Sequence, residues 1–110
     1  RWSSGIEMDV QDANATPLVI TFRNSQRPIA AAFLSGSPLR QDSSNGSESW
    51  VLDNPPSDRS GSVYLDLYDQ DENKVFAVAD GLQSQNLGEQ FGSPEHYGDL
   101  GQGYYAKGTY

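Results

Sequence analysis

The chain has 110 residues, of which 35% are hydrophobic, so we expect one domain with a compact core over residues 1–110. Its net charge is −8, and its seven lysines and arginines are scattered singly. This argues against nucleic-acid binding, because phosphates require clustered positive charge. No apolar run approaches the roughly 18 residues that a membrane-spanning helix needs, so no membrane insertion is expected. Cysteine is absent, which excludes disulfides, thiolate metal sites and cysteine nucleophiles.

Two features favour a secreted or extracytoplasmic location. The chain starts at Arg1 rather than Met, as a processed mature protein would, and it carries two N-glycosylation sequons, at Asn14 and Asn45. Pro17 follows the first sequon directly and should weaken it. The absence of cysteine favours the opposite interpretation, an intracellular or bacterial origin, since small secreted domains often need disulfides. We expect secretion, with Asn14 and Asn45 as candidate glycosylation sites.

The first third of the chain alternates apolar and polar residues, which is the pattern of half-buried strands. Residues 6–10 and 18–23 show this alternation and are separated by the turn-forming residues 12–17. Residues 24–28 are typical of a hairpin loop. Residues 29–34 are apolar on both sides, which predicts a central strand covered on both faces, although three alanines also permit a short helix.

The middle of the chain begins with residues 35–48, whose serines, glycines and prolines predict a polar, flexible loop. Residues 49–52 predict a brief strand. The clearest pattern is in residues 61–80, where two alternating runs flank a polar cluster and predict a β-hairpin with an acidic tip. Residues 81–87 are compatible with a short edge strand.

No helical stripe of useful length occurs, and a final strand is predicted over residues 104–110. The predicted fold is therefore all-β, with about six to eight short strands. We expect a small single-domain antiparallel β-sandwich with long polar loops, immunoglobulin-like or jelly-roll-like by analogy alone. Such folds host many unrelated functions, so the fold does not identify the activity.

The hairpin tip contains a partial calcium-loop pattern. Asp69, Asp71 and Asn73 place oxygens at positions 1, 3 and 5 of such a loop, and Asp80 stands at position 12. Position 6, however, is Lys74 instead of the glycine that the sharp turn needs. A solvated tip is the preferred interpretation. A looser Ca²⁺ site at Asp69, Asp71 and Asn73 is the weaker alternative, and no other cofactor is indicated.

Residues 88–110 hold six of the eleven glycines and four of the six tyrosines. Glycine allows close backbone approach, and tyrosine offers an apolar face with a hydroxyl, a combination typical of loop-built recognition surfaces. Buried tyrosines that close the core are the alternative. An exposed Trp50 would add a further stacking face, although a tryptophan buried in a sandwich is an equal alternative. The candidate ligand-binding residues are Trp50, Tyr97, Asp99, Tyr104 and Tyr105.

The same segment contains Glu89, Glu95, His96 and Asp99, and paired carboxylates can hydrolyse glycosidic bonds when they lie roughly 5 to 10 Å apart. Proximity on a loop does not provide that geometry, and no nucleophile motif occurs, so no catalytic residue is assigned. We expect a small acidic secreted module that binds a carbohydrate or similar neutral ligand. The alternatives are a protein-binding or inhibitor-like domain and a small hydrolase that uses residues 89–99.

Overall fold

The computed structural model describes residues 6–25, 27–42, 48–89 and 104–105, with the backbone alone for 88–89 and 104–105. These residues form antiparallel β-strands and no helix, which confirms the predicted all-β fold. The strands are β1 Glu7–Val10, β2 Leu18–Arg23, β3 Ala31–Leu34, β4 Ser37–Gln41, β5 Ser49–Leu52, β6 Ser62–Tyr68, β7 Lys74–Asp80, β8 Gln85–Asn86, β9 Gly88–Glu89 and β10 Tyr104–Tyr105.

The strands form two packed sheets that are joined through β4. The first sheet has the order β8-β1-β2-β5, and the second has the order β3-β6-β7, with β9 and β10 both paired to β7. The start of β4 pairs with β3, whereas Arg40 and Gln41 at its end pair with β5. Because β4 passes from one sheet to the other, the two sheets are nearly continuous, as in a small β-sandwich with barrel character.

The core lies between the two sheets and is built by the alternation within each strand. Met8, Ile20 and Phe22 point inward from the first sheet, and Leu65 and Leu67 point inward from the second, each with 1% exposure or less. Burial of each such side chain contributes roughly 1.5–3 kcal/mol, so a few alternating strands suffice to hold a small domain together. The remaining apolar side chains of the inner faces join the same cluster.

The hairpin predicted over residues 61–80 is confirmed as β6 and β7. Its register runs without a break from Ser62 opposite Asp80 to Tyr68 opposite Lys74. The tip is closed by the backbone, since the N–H of Asp69 donates to the carbonyl of Asn73 at 2.9 Å. The strands predicted for residues 6–10, 18–23 and 49–52 are likewise present as β1, β2 and β5.

Two predictions about loops are wrong. Residues 35–48 were expected to be a loop, but they contain β4, which follows β3 after a tight turn with Ser35 and Gly36 at positive φ. Residues 24–28 were expected to close a hairpin, but β2 and β3 belong to different sheets. In both cases pairing with strands from elsewhere in the chain decides the structure. In β4 only Leu39 is buried, so its local sequence carries little of the alternation that predicts a strand.

Candidate functional site

Trp50 is a core residue, and the expectation that it is exposed is wrong. It is 3% exposed and belongs to the hydrophobic cluster between the sheets. Its strand, β5, lies between β4 and β2, with Trp50 opposite Gln41 on one side and Ile20 on the other. Within the part of the chain that the structure describes, the indole Nε1–H has no hydrogen-bond partner. The side chain therefore contributes packing to the core and presents no ring to a ligand.

The Gly/Tyr-rich segment touches the second sheet at the edge of β7. The backbone of Tyr104 and Tyr105 pairs there with Val75 and Lys74, and β9 pairs with the same strand farther along. Residues 88–89 and 104–105 of this segment therefore extend the second sheet beyond β7. Several predicted positions lie outside the described residues, namely Glu95, His96, Tyr97, Asp99 and the sequon at Asn45.

Asp69 organises the hairpin tip. Its Oδ1 accepts hydrogen bonds from the backbone N–H groups of Asp71 and Asn73, both at 2.9 Å, and its Oδ2 lies 3.3 Å from Arg27 Nη1. Burial alone would raise the pKa of Asp69, but the hydrogen bonds from Asn73 and Asp71 and the charge of Arg27 hold it below its ordinary value. Among the described residues, no three His, Cys, Asp or Glu side chains converge as metal ligands would. Both carboxylate oxygens of Asp69 therefore bond to groups of the chain itself.

The outer side of the second sheet carries four aromatic rings, a surface that we call the aromatic face. It consists of Phe33, Tyr64, Tyr68 and Phe76 on β3, β6 and β7. Phe33 meets Tyr68 edge to face with ring centroids 5.8 Å apart, and Tyr64 stacks on Phe76 at 5.9 Å with an interplanar angle of 25°. Phe76 is buried, whereas the other three rings are half-buried. Both arrangements are favoured geometries for aromatic pairs, so the rings support one another.

A buried ion pair lies within the aromatic face. Lys74 Nζ is 3.3 Å from Asp66 Oδ1 and 5.7 Å from the centroid of the Tyr68 ring. The two charged side chains are only 5% and 13% exposed. A charge in such surroundings requires its partner, so each of these two side chains depends on the other. Sequence reasoning missed this face because Tyr64, Asp66 and Tyr68 alternate with core residues, as solvent-facing residues do.

The outer side of the first sheet, which we call the polar face, is different. Asp9 and Arg23 form an exposed ion pair with Oδ2 and Nη2 3.1 Å apart, and the hydroxyls of Thr21 and Ser49 are 3.0 Å apart. Ser84 also donates to Asp9 Oδ1 at 3.0 Å. The hydrogen bond from Ser84, and next that from Arg23, lowers the pKa of Asp9 below its usual 3.8. Two shallow depressions of about 430 and 450 Å³ flank this ion pair.

Three loops meet at one end of the sandwich and enclose an open cleft of about 630 Å³, the end cleft. They connect β1 to β2, β5 to β6 and β7 to β8. The lining is polar except for one alanine, one leucine and one glycine. Its residues are Ala13, Asn14, Ser57, Asp58, Arg59, Ser60, Gly81, Leu82 and Gln83. The predicted glycosylation site Asn14 is exposed and stands in this lining.

Arg59 ties the loops of the end cleft together. Its Nη1 donates to the carbonyls of Ala13 and Ala15, its Nη2 donates to Thr16 Oγ1 at 2.9 Å, and its Nε donates to the carbonyl of Pro56 at 3.1 Å. The third loop joins through the N–H of Leu82, which donates to the carbonyl of Arg59 at 2.8 Å. Arg59 therefore joins the three loops, two through its guanidinium and the third through its backbone carbonyl. No local signal in the sequence indicated this role.

Gly81 and Asp58 complete the cleft. Gly81 has a φ of +81°, and a Cβ there would lie 3.3 Å from the carbonyl oxygens of Arg59 and Ser60, so only glycine fits without strain. Asp58 Oδ1 accepts hydrogen bonds from the backbone N–H of Ser60 at 3.0 Å and from its hydroxyl at 2.7 Å. These bonds, the hydroxyl first, lower the pKa of Asp58. The cleft thus presents a fixed, ionised carboxylate.

Glu48, at the start of β5, carries the remaining perturbed carboxyl group of interest. Burial raises its pKa, an effect that a hydrogen bond with the backbone of Ile29 partly offsets. Its Oε2 is buried and has no hydrogen-bond partner among the described residues. Glu48 lines neither the end cleft nor the two depressions of the polar face, so we assign it no chemical role.

The described residues include no helix that is long and apolar enough to span a membrane. No protein-family model, curated protein or solved structure matches the chain, so its function has to be inferred from its own surfaces.

Proposed function

We propose that the protein is a carbohydrate-binding module whose sugar-stacking surface is the aromatic face. The observation that supports this is the arrangement of Phe33, Tyr64 and Tyr68, three half-buried rings on the outer side of one sheet. Apolar surface outside a core is typical of interaction sites, and these three rings are partly accessible. Aromatic rings bind the apolar C–H faces of sugars, and the tyrosine hydroxyls can bond to sugar hydroxyls.

The surroundings of the aromatic face also favour a neutral ligand. Lys74 and Asp66 balance each other's charge, so the face carries rings and a compensated ion pair. The net charge of −8 disfavours polyanions such as nucleic acids. The two residues of β10, which belong to the Gly/Tyr-rich segment, pair with β7 at the edge of the same sheet. Secretion belongs to this proposal as a prediction.

The test is binding of the purified chain to a glycan array, followed by calorimetric titration with the best glycan. Phe33→Ala removes one ring of the surface and keeps both members of the Lys74–Asp66 pair, although Phe33 lies opposite Asp66 in the pairing of β3 with β6. We expect it to weaken binding by about 1 kcal/mol, roughly a fivefold rise in Kd, because a stacking contact is lost. Val19→Ala, on the polar face of the first sheet, is the matched control and should leave the Kd unchanged.

Thermal unfolding of both variants should show that each remains folded, so that a change in Kd reports on the surface. The proposal fails if the array shows no binding, or if Phe33→Ala and Val19→Ala alter the Kd equally. Capture of a protein partner through Phe33, with no glycan bound, would instead support the protein-binding alternative.

A further inference from the structure

The end cleft is a preformed site whose walls are held in place by the chain itself. Arg59 joins the loops through four hydrogen-bond acceptors, and Gly81 allows the backbones to approach closely. A volume of about 630 Å³ lies in the range of small-ligand sites, which are roughly 300–1,000 Å³. A site of this kind needs little reorganisation on binding, which favours affinity.

The chemistry of the lining restricts the ligand. Arg59 is the cation of the cleft, but its donors face neutral carbonyl and hydroxyl oxygens of the loops, and Asp58 lies next to it in sequence. An anion would therefore meet an engaged guanidinium and a carboxylate. A cation would find Asp58 as the single carboxylate of the lining. An apolar ligand would find no aromatic ring there, and Leu82 is only 1% exposed.

What the cleft offers is a set of hydrogen-bonding groups. Asp58 accepts hydrogen bonds, Ser57 carries a hydroxyl, and the side chains of Asn14 and Gln83 are exposed planar amides. The amide nitrogen of Gln83 donates to the carbonyl of Asp80 at 2.9 Å, which holds that side chain at the cleft. Planar amide and carboxylate groups can bond to two neighbouring hydroxyls at once.

We propose that the end cleft binds the hydroxyl groups of a neutral sugar unit. The side chains of Asp58, Asn14 and Gln83 form the hydrogen bonds to these hydroxyls. This inference rests on the proposed carbohydrate function and adds a second contact site to it. The two sites are chemically distinct, since the aromatic face stacks on sugar rings whereas the cleft bonds to their hydroxyls. Each site can therefore be tested separately.

The experiment is an NMR titration of the ¹⁵N-labelled chain with the methyl glycosides of glucose, galactose and mannose. Glucuronic acid and inorganic phosphate serve as anionic comparisons. At least one methyl glycoside should shift the amide signals of Asn14, Ser57 and Gln83 in a saturable way. Asp58→Asn should weaken this binding about tenfold, since a hydrogen bond to a charged acceptor is lost while Oδ1 still accepts from Ser60.

Asp71→Asn is the matched control, because it removes the same charge from the exposed hairpin tip and should leave the Kd unchanged. Gln83→Ala is a second cleft variant that alters no charge, and it should also weaken binding. If Asp58→Asn does not fold, Gln83→Ala decides the matter. An equal effect of Asp71→Asn would overturn the assignment.

The remaining outcomes separate the two proposals. Shifts confined to β3 and β6 overturn the cleft inference and leave the aromatic face standing. Shifts at the cleft, with an unchanged Kd for Phe33→Ala, uphold the cleft and overturn the aromatic face. Binding of glucuronic acid or phosphate without any methyl glycoside overturns the cleft inference, because the charge of Arg59 would then govern the site. The absence of any shift overturns it as well.

Discussion

The two outer faces of the sandwich use the same kind of ion pair in opposite surroundings. On the polar face, the side chains of Arg23 and Asp9 are 60% and 45% exposed, so water surrounds both charges. On the aromatic face, the side chains of Lys74 and Asp66 are 5% and 13% exposed and lie among aromatic rings. Coulomb attraction acts in both pairs, but desolvation matters in the second alone. The comparison indicates that the exposure of the two side chains, rather than the distance between them, should decide how much each pair contributes to the free energy of unfolding.

The largest expected effect is the loss of Lys74. Lys74→Ala leaves the Asp66 carboxylate buried without its cation, which should lower the free energy of unfolding by about 3–5 kcal/mol. Arg23→Ala removes the corresponding cation from the polar face and should cost about 0.5 kcal/mol or less. Urea unfolding of the two variants, followed by circular dichroism, measures both values.

A double variant distinguishes desolvation from packing at this site. Lys74→Met combined with Asp66→Leu removes both charges and keeps apolar volume, so most of the stability lost in Lys74→Ala should return. Equal destabilisation by Lys74→Ala and Arg23→Ala would contradict the difference between the faces. A double variant as unstable as Lys74→Ala would show that the aliphatic packing of Lys74, rather than its charge, stabilises the face.

A smaller effect is expected from the contact between rings. Tyr64→Leu and Phe76→Leu each remove one ring of the stacked pair, and a double-mutant cycle should give a coupling of about 1 kcal/mol. The corresponding cycle for Asp9 and Arg23 should give a much smaller coupling, and that value should fall as salt is added. A Tyr64–Phe76 coupling near zero would mean that the rings are neighbours without mutual stabilisation.

Structural elements that depend on one continuous stretch of residues can be predicted from the sequence. The β6–β7 hairpin was predicted because alternation and a polar tip lie together within residues 61–80, and its register follows from them. β4 was missed because its local sequence is polar and contains Pro38, with Leu39 as its single buried residue. It becomes a strand because β3 and β5 pair with it on either side. The local sequence of β4 therefore does not predict the strand, because its strand structure depends on pairing with β3 and β5.

The functional surfaces were less predictable for the same reason. Alternation shows that Tyr64 and Phe76 share the side of a sheet opposite the core, but it does not show that their strands place the rings in contact. The end cleft brings together Asn14, Asp58 and Gln83, which are far apart in sequence and meet through the topology alone. Trp50 illustrates the converse, since the sequence around it fits an exposed ring and a core ring equally well.

The smallest expected effect is on the polar face, in the pH dependence of stability. Hydrogen bonds from Ser84 and Arg23 lower the pKa of Asp9 in the folded protein, so the unfolded chain binds this proton at a higher pH. The resulting stabilisation is present above the ordinary value of 3.8 and is lost as the pH falls through the lowered pKa. Asp9→Asn should therefore flatten the fall in unfolding free energy below about pH 4.

Ser84→Ala removes the largest cause of that shift while it keeps the Asp9 carboxylate, so it should flatten the same part of the curve. Arg23→Gln removes the second hydrogen-bonding partner and the positive charge, and its effect on the curve should be smaller. Urea unfolding at a series of pH values measures all three variants. If Ser84→Ala leaves the acid limb of the curve as steep as in the parent chain, Arg23 controls the Asp9 carboxylate. The ion pair of the polar face would then contribute more than its exposure predicts, and the contrast with Lys74 and Asp66 would narrow.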